Sequence, residues 1–161
     1  MTRTDRAARQ FSADPDRVFA ALIDPEALLA WLPPTGMSGR FEHIDMRAGG
    51  SYRMVLTYEE TPEGGGKTTE DDDVVDVRII ELVPGQRIVQ AADFVSDDPA
   101  FAGTMRMTWT LSPAPDGTLV ELRADDVPTG ISADDHAAGL ASSLDNLAVF
   151  LGEEREEGEA S

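Results

Sequence analysis

The chain contains no cysteine, which excludes disulfides and thiol nucleophiles and leaves the redox compartment open. Its two histidines, His43 and His136, are too few for a His-rich zinc site. Basic side chains are scarce: 13 Lys and Arg, with Lys67 the single lysine, stand against 31 Asp and Glu, for a formal charge of −18. A surface of that sign repels phosphate backbones and anionic lipid, so neither nucleic acid nor a membrane is an expected partner. Solvated surface is the simplest use of the charge. No apolar run reaches the roughly 18 residues of a membrane-spanning helix. The opening MTRTDRAARQF has no apolar core of a signal peptide, so a cytoplasmic protein is expected. No Gly-x-Ser-x-Gly elbow surrounds Ser142-Ser143, and Gly64-Gly65-Gly66-Lys67 lacks the P-loop spacing. The acidic runs Asp71-Asp72-Asp73, Asp97-Asp98, Asp125-Asp126 and Asp134-Asp135 lack the alternation of a calcium loop. They read as loop and helix-start charges, and no metal or cofactor is expected.

What is present organises around residues 132–151. Leu140, Leu144, Leu147 and Leu151 recur at i, i+4, i+7 and i+11, one stripe of an α-helix. Ser132 is a good N-cap, Asp134 and Asp135 suit the positive end of the helix dipole, and Gly152 is a stop. Such a helix is about 30 Å long and must bury its stripe. With 161 residues, 41% of them hydrophobic, the chain can form one domain, expected over 1–152, with 153–161 a disordered acidic tail.

Upstream, residues 4–11 read as a first strand. Asp14-Pro15 and Asp24-Pro25 each start a short helix, with apolar faces of Val18, Phe19 and Leu22, then Leu28, Leu29 and Trp31. Strands follow at 39–46, 52–58, 74–83, 87–94, 104–111 and around Val120, Leu122 and Ala124. Residues 59–73 and 95–103 read as loops, the former a mobile hairpin loop. Pro84-Gly85 suits a type II turn, and Asp116-Gly117 a tight hairpin. Hairpin-linked strands with a terminal helix predict an α+β fold, a sheet of six or seven antiparallel strands curled around the last helix.

The inward positions are rich in methionine and aromatics. Tyr52 and Met54 share one strand face, Met105, Met107 and Trp109 another, and Trp31 ends the second short helix. Methionine suits adaptable apolar pockets, but the same residues also suit a plain core, and composition does not separate the two. His136 lies four residues before Leu140, beside the buried stripe. A neutral imidazole there can bind or polarise a ligand group; a part-exposed histidine bonded near the cap is the simpler reading. Asp45 and Arg47 read as a local turn pair.

Several phrases together resemble one family. These are Pro-x-Arg-Val-Phe-x-Ala-Leu at Pro15 to Leu22, Asp-Pro-Glu-x-Leu at Asp24 to Leu28, and Asp-x-Arg-x-Gly-Gly at Asp45 to Gly50. Pro-Gly-x-Arg-Ile-Val at Pro84 to Val89 and a closing helix with His136, Gly139, Leu144 and Leu147 complete the set. The chain resembles the activator of heat-shock protein 90 ATPase homologue-like proteins, of the START and birch-pollen-allergen (SRPBCC) superfamily, over roughly residues 7–151. The resemblance implies the helix-grip fold, a seven-stranded antiparallel sheet gripping the C-terminal helix over a hydrophobic cavity. It departs from the family at Trp31-Leu32, where Trp-Trp is frequent, and at Gly139-Leu140, where Gly-Trp is frequent. A smaller side chain at Leu140 implies a larger cavity. The family's name derives from a co-chaperone with an added chaperone-binding domain. A chain of this length is not expected to carry that domain, so a chaperone is not an expected partner.

The expected function is therefore binding of a small apolar or amphipathic molecule, without catalysis, between sheet and helix. The residues expected to hold it are Trp31, Tyr52 and Met54, then Met105, Met107 and Trp109, and on the helix His136, Leu140 and Leu144. An enzyme of the polyketide cyclase or aromatase kind, using His136, Tyr52 and Tyr58, is one alternative, and an interaction protein is another. Monomer and homodimer both stay open.

Overall fold

The structure, a computed structural model, describes residues 3–33, 36–59 and 72–152. Strand β1 (Thr4–Phe11) leads into helices α1 (Pro15–Ile23) and α2 (Pro25–Trp31). Strands β2 (Met37–Ile44), β3 (Ser51–Tyr58), β4 (Asp72–Val83), β5 (Arg87–Phe94), β6 (Met105–Ala114) and β7 (Gly117–Asp125) follow, and helix α3 (Ala133–Phe150) closes the chain. All seven strands form one antiparallel sheet in the order β1-β7-β6-β5-β4-β3-β2. The α1–α2 pair carries the chain from one edge to the other, and the meander then returns strand by strand to β1. This is the α+β arrangement that the hydrophobic patterning predicts, and the helix-grip fold that the family resemblance implies.

Local chemistry explains the joints. The Asp14 carboxylate accepts the Arg17 N–H at 2.9 Å, and Pro15 opens α1 with its ring already at a helical φ. Val18, Phe19 and Leu22 are buried as their spacing predicts. In α2 the expectation needs one correction: Leu28 and Trp31 are buried, but Leu29 is exposed and Ala27 takes the inward place. A 100° step per residue carries Leu29 off the face that Ala27, Leu28 and Trp31 share. Gly85 takes φ +73, as the third position of the Val83–Gln86 turn requires, and the Gln86 N–H reaches the Val83 carbonyl at 3.0 Å.

A second correction falls at the start of β4. The strand begins at Asp72, so Asp72 and Asp73 are ladder residues opposite Thr57 and Leu56 rather than loop charges. The remainder of the expected loop, residues 60–71, and the expected acidic tail, 153–161, lie outside the described residues. In the 95–103 connection Pro99–Phe101 forms one 3-10 turn, whose first N–H pairs with the Asp98 carboxylate.

The sheet's two faces differ as the alternation predicts. Outward positions carry cross-strand pairs such as Arg53 Nε to Asp76 Oδ1 at 2.6 Å; that bond holds the Asp76 carboxyl below its usual range. Inward positions build two adjoining cores. One gathers α1, α2 and the stripe of α3 against Phe11, Trp109, Val120 and Leu122. The other gathers Tyr52, Met54, Val77, Ile79 and Met105 with Val127 and Ile131. Leu32, Phe41 and Met107 are packed against both.

Helix α3 is held at several points along its length. Leu140, Leu144, Leu147 and Leu151 are all buried. Ser143 Oγ donates to the Leu32 carbonyl and Asn146 Nδ2 to that of Pro33, each at 3.2 Å. Arg9 on β1 pairs with Asp145 at 2.7 Å, and Arg17 caps the Leu151 carbonyl at 2.8 Å. At the N-terminus Ser132 Oγ accepts the Asp135 N–H at 3.0 Å. Ser132→Ala is expected to cost about 1 kcal/mol, the usual worth of such a cap. A urea midpoint equal to that of the parent chain would show the cap to be idle. Among the described residues no helix is long and apolar enough to cross a membrane.

Candidate functional site

The two cores do not close completely on each other. Between the sheet and the N-terminal half of α3 lies a cleft of about 930 Å³. Helix α3 packs against the edge strand β1, while residues of β3, β4, β5 and β6 face its first turns across the space. The ends of β3 and β5 and the starts of β4 and β6 form its outer part together with the first turns of α3, including Leu56, Phe94, Val75 and Asp135. Buried Trp31, Ile88 and Trp109 form the inner wall.

Most of the residues singled out by sequence meet here. Trp31, Tyr52, Met54 and Met105 line the cleft, as do Met107, Trp109, His136 and Leu140. Leu144 does not: it is 1% exposed and packs in the core with Trp31 and Trp109, one helical turn beyond the cleft. The indoles of Trp31 and Trp109 meet edge to face with centroids 5.5 Å apart, and Trp31 Nε1 is satisfied by the Ala21 carbonyl at 2.9 Å. Neither ring can swing away without losing those contacts, so the inner wall is firm.

The lining is mainly apolar; besides Glu59, Asp135 and Ser143, polar groups enter it at three places. On the floor, Trp109 Nε1 donates to Gln90 Oε1 at 3.3 Å, with the Tyr52 ring also lining the cleft. Burial pushes the Tyr52 hydroxyl up to about 12, against a smaller opposing effect of Gln90. Toward the strand ends, Tyr58 donates to Asp73 Oδ2 at 2.7 Å. Burial, and then the bond to Asp73 and its charge, raise the Tyr58 hydroxyl above its ordinary range.

The third place is His136. Its Nδ1 lies 2.7 Å from Asp5 Oδ2, with side chains only 13% and 6% exposed. The same carboxylate oxygen also receives Arg3 at 3.0 Å. A carboxylate accepts only, so Nδ1 carries a proton and Nε2 has the lone pair when the ring is neutral. No hydrogen bond engages Nε2 among the described residues. The histidine is thus more enclosed than its place near the cap suggests, and its partner sits on β1 rather than in the cap. Asp45 and Arg47 form the exposed turn pair expected of them, at 2.7 Å.

Three polar residues of the site escape the sequence reading. Asp5 sits on the inward alternation Asp5, Ala7, Arg9, Phe11, where two charges on a buried face signal partners across the fold. Asp73, 3% exposed, continues the inward series Val77, Val75. Gln90, 7% exposed, is a polar interruption in the buried run from Ile88 to Ala92. Each breaks an apolar period at a position that must be satisfied internally.

The fold has relatives among known proteins. A crystal structure of a protein from Chromobacterium violaceum is 32% identical and superposes with a TM-score of 0.82, over 94% of this chain and 98% of that one. The AHSA1 protein from Silicibacter pomeroyi is 22% identical with a TM-score of 0.76, over 93% and 98%. A protein from Rhodobacter sphaeroides is 23% identical with a TM-score of 0.71, over 92% of each chain. The latter two show likeness of fold. No curated protein sequence matches the chain. The family model described as activator of Hsp90 ATPase homolog 1-like protein matches residues 12–152. The chain belongs to that family.

Proposed function

We propose that the chain binds a small, mainly apolar molecule in the cleft between the sheet and α3. The observation that carries this is the cleft itself: about 930 Å³ of space among Trp31, Met54, Met105, Met107 and Leu140. That volume is in the range of pockets for drug-sized ligands, and an apolar lining with a few placed polar groups is their usual make-up. The methionines let the wall adapt to shape, while the paired indoles keep one side fixed.

The test uses N-phenylnaphthylamine, a neutral apolar probe whose emission rises on leaving water. It should quench the emission of Trp31 and Trp109 and raise the melting temperature, since a ligand selective for the folded state stabilises it. Leu140→Trp fills the middle of the space and should weaken the probe by about tenfold or more, a loss of at least ~1.4 kcal/mol, with the fold intact. Failure of the probe to bind the parent chain would overturn the reading. Equal binding by parent and variant would move the site elsewhere.

A second reading, an enzyme of the polyketide cyclase or aromatase kind, draws on one observation. The Asp5–His136 pair presents an unengaged ring nitrogen in a residue that lines the cleft, the arrangement a general base needs. His136→Asn should leave binding of the probe within about twofold while abolishing any proton transfer on a bound molecule. Hydrogen–deuterium exchange of an acidic C–H in a bound ketone reads that step; the same exchange rate with and without His136 removes the reading.

A further inference from the structure

We propose that His136 Nε2 is the polar anchor of the cleft and accepts the proton of a neutral hydroxyl, so the bound molecule is a phenol or another apolar compound with one hydroxyl. This rests on the binding reading above and names the class of ligand; it requires no reaction. The contact between His136 Nδ1 and Asp5 Oδ2, at 2.7 Å, decides it. Arg3 Nη2 lies 3.0 Å from the same oxygen, so Asp5 stands as a carboxylate that only accepts. Nδ1 therefore keeps its proton, and the neutral ring has its lone pair at Nε2. The two nitrogens lie on different edges of the ring. Asp5 is on β1, which adds no residue to the cleft lining, whereas His136 is a lining residue. The Nδ1 edge thus faces β1, and the Nε2 edge faces away from it. Nε2 has no hydrogen-bond partner among the described residues, and it is not sealed among the fully buried atoms. A molecule in the cleft can reach it.

Space and charge define what arrives there. His136, Gly139, Leu140 and Ser143 fall at i, i+3, i+4 and i+7 on α3 and all line the cleft. A Cβ at Gly139 would meet nothing within 4 Å. Glycine inside a helix costs stability relative to alanine, and no close packing demands it here. The strip of α3 next to His136 is therefore bare and open, with room for the flat face of a ring. Arg3, Asp5 and a neutral His136 sum to no net charge. A carboxylate head brings no proton for Nε2 and finds Asp135 at the same helix end, with no arginine or lysine among the described lining residues. An ammonium head would shed its water against Leu140 and Trp109, while the charge of Asp5 is already answered by Arg3. A neutral hydroxyl exchanges water for the imidazole and loses little.

Displacement of N-phenylnaphthylamine compares naphthol with methylnaphthalene, which has the same shape but no hydroxyl, and with naphthoate and naphthylmethylamine. Naphthol's advantage over methylnaphthalene should be about three- to tenfold greater in the parent chain than in His136→Leu, the worth of one neutral hydrogen bond. Naphthoate and naphthylmethylamine should bind more weakly than naphthol. Gly139→Leu, which leaves the Asp5–His136 pair untouched, should weaken both naphthol and methylnaphthalene. Nitrogen NMR of the labelled parent chain at about pH 8, above the ordinary histidine range, carries the test if His136→Leu misfolds. The chain has two histidines, so His43→Gln assigns the signals. Free His136 should show its proton on Nδ1 alone. Naphthol, but not methylnaphthalene, should move the Nε2 signal toward that of a hydrogen-bonded nitrogen. A proton on Nε2 in the free chain, a signal that naphthol leaves unmoved, or an equal naphthol advantage in parent and variant each overturns the hydroxyl site while leaving the cleft a binding site. Unchanged binding by Gly139→Leu, or tighter binding of either charged compound, does the same. Should N-phenylnaphthylamine itself fail to bind, the binding reading falls and the hydroxyl site with it.

Discussion

Truncating Leu144 to alanine is expected to destabilise the protein by about 2–5 kcal/mol, the range for fully buried leucines. Leu144 is 1% exposed and sits where α3, α2 and the sheet converge, among Trp31, Trp109 and Leu147. The surrounding groups have little freedom to close over the lost methyls. Trp31 is tied to the Ala21 carbonyl, Ser143 next to it to the Leu32 carbonyl, and Trp109 to Gln90. Leu140 makes the useful contrast. It is almost as buried, at 5%, but it borders the cleft. Truncation there enlarges a space that already exists rather than opening a new void in a closed core, so it should cost less than at Leu144. Urea denaturation of both variants reads the difference. A loss below about 0.5 kcal/mol at Leu144, typical of a surface site, would mean that the stripe is not what holds the helix down.

That contrast also marks how far the sequence alone carries. The leucines of α3 announce burial through their spacing, and period-2 alternation in β6 announces a strand with Met105, Trp109 and Leu111 inward. Burial of those residues follows from hydrophobicity, so the fold is legible. Whether two inward faces touch or stand apart depends on how far the sheet curls, and no periodicity encodes that. Leu140 and Leu144 are chemically identical and one turn apart, yet one borders the cleft and the other does not. Polar members of the site are hidden for a different reason. Asp5 and His136 are separated by 131 positions, and only the antiparallel pairing of β1 with β7, followed by the return of α3, brings them to 2.7 Å. Asp73 carries a loop-like side chain on a strand, and its partner Tyr58 lies across a segment whose acidic, glycine-rich composition points away from pairing.

Raising the pH from about 10 to about 12 is expected to remove about 2–3 kcal/mol of stability through Tyr52 alone. In the unfolded chain its hydroxyl ionises near the ordinary value of 10.0, whereas burial in the fold pushes it up to about 12. Below the unfolded value both states hold the proton and stability is level. Between the two values the unfolded chain has released the proton and the folded chain has not, so each pH unit favours unfolding by about 1.4 kcal/mol. Above the folded value both have lost it and the slope vanishes. Tyr58 is raised as well and acts in the same direction. The chain is well suited to the measurement: it has two tyrosines, one lysine and no cysteine, so few other side chains titrate in this window. Tyrosinate absorbance should stay flat past the ordinary tyrosine range and then rise together with loss of structure. The Tyr52→Phe chain should lose the Tyr52 share of the slope and keep that of Tyr58. A tyrosine that ionises near its ordinary value while the protein stays folded would show that Tyr52 is in contact with water.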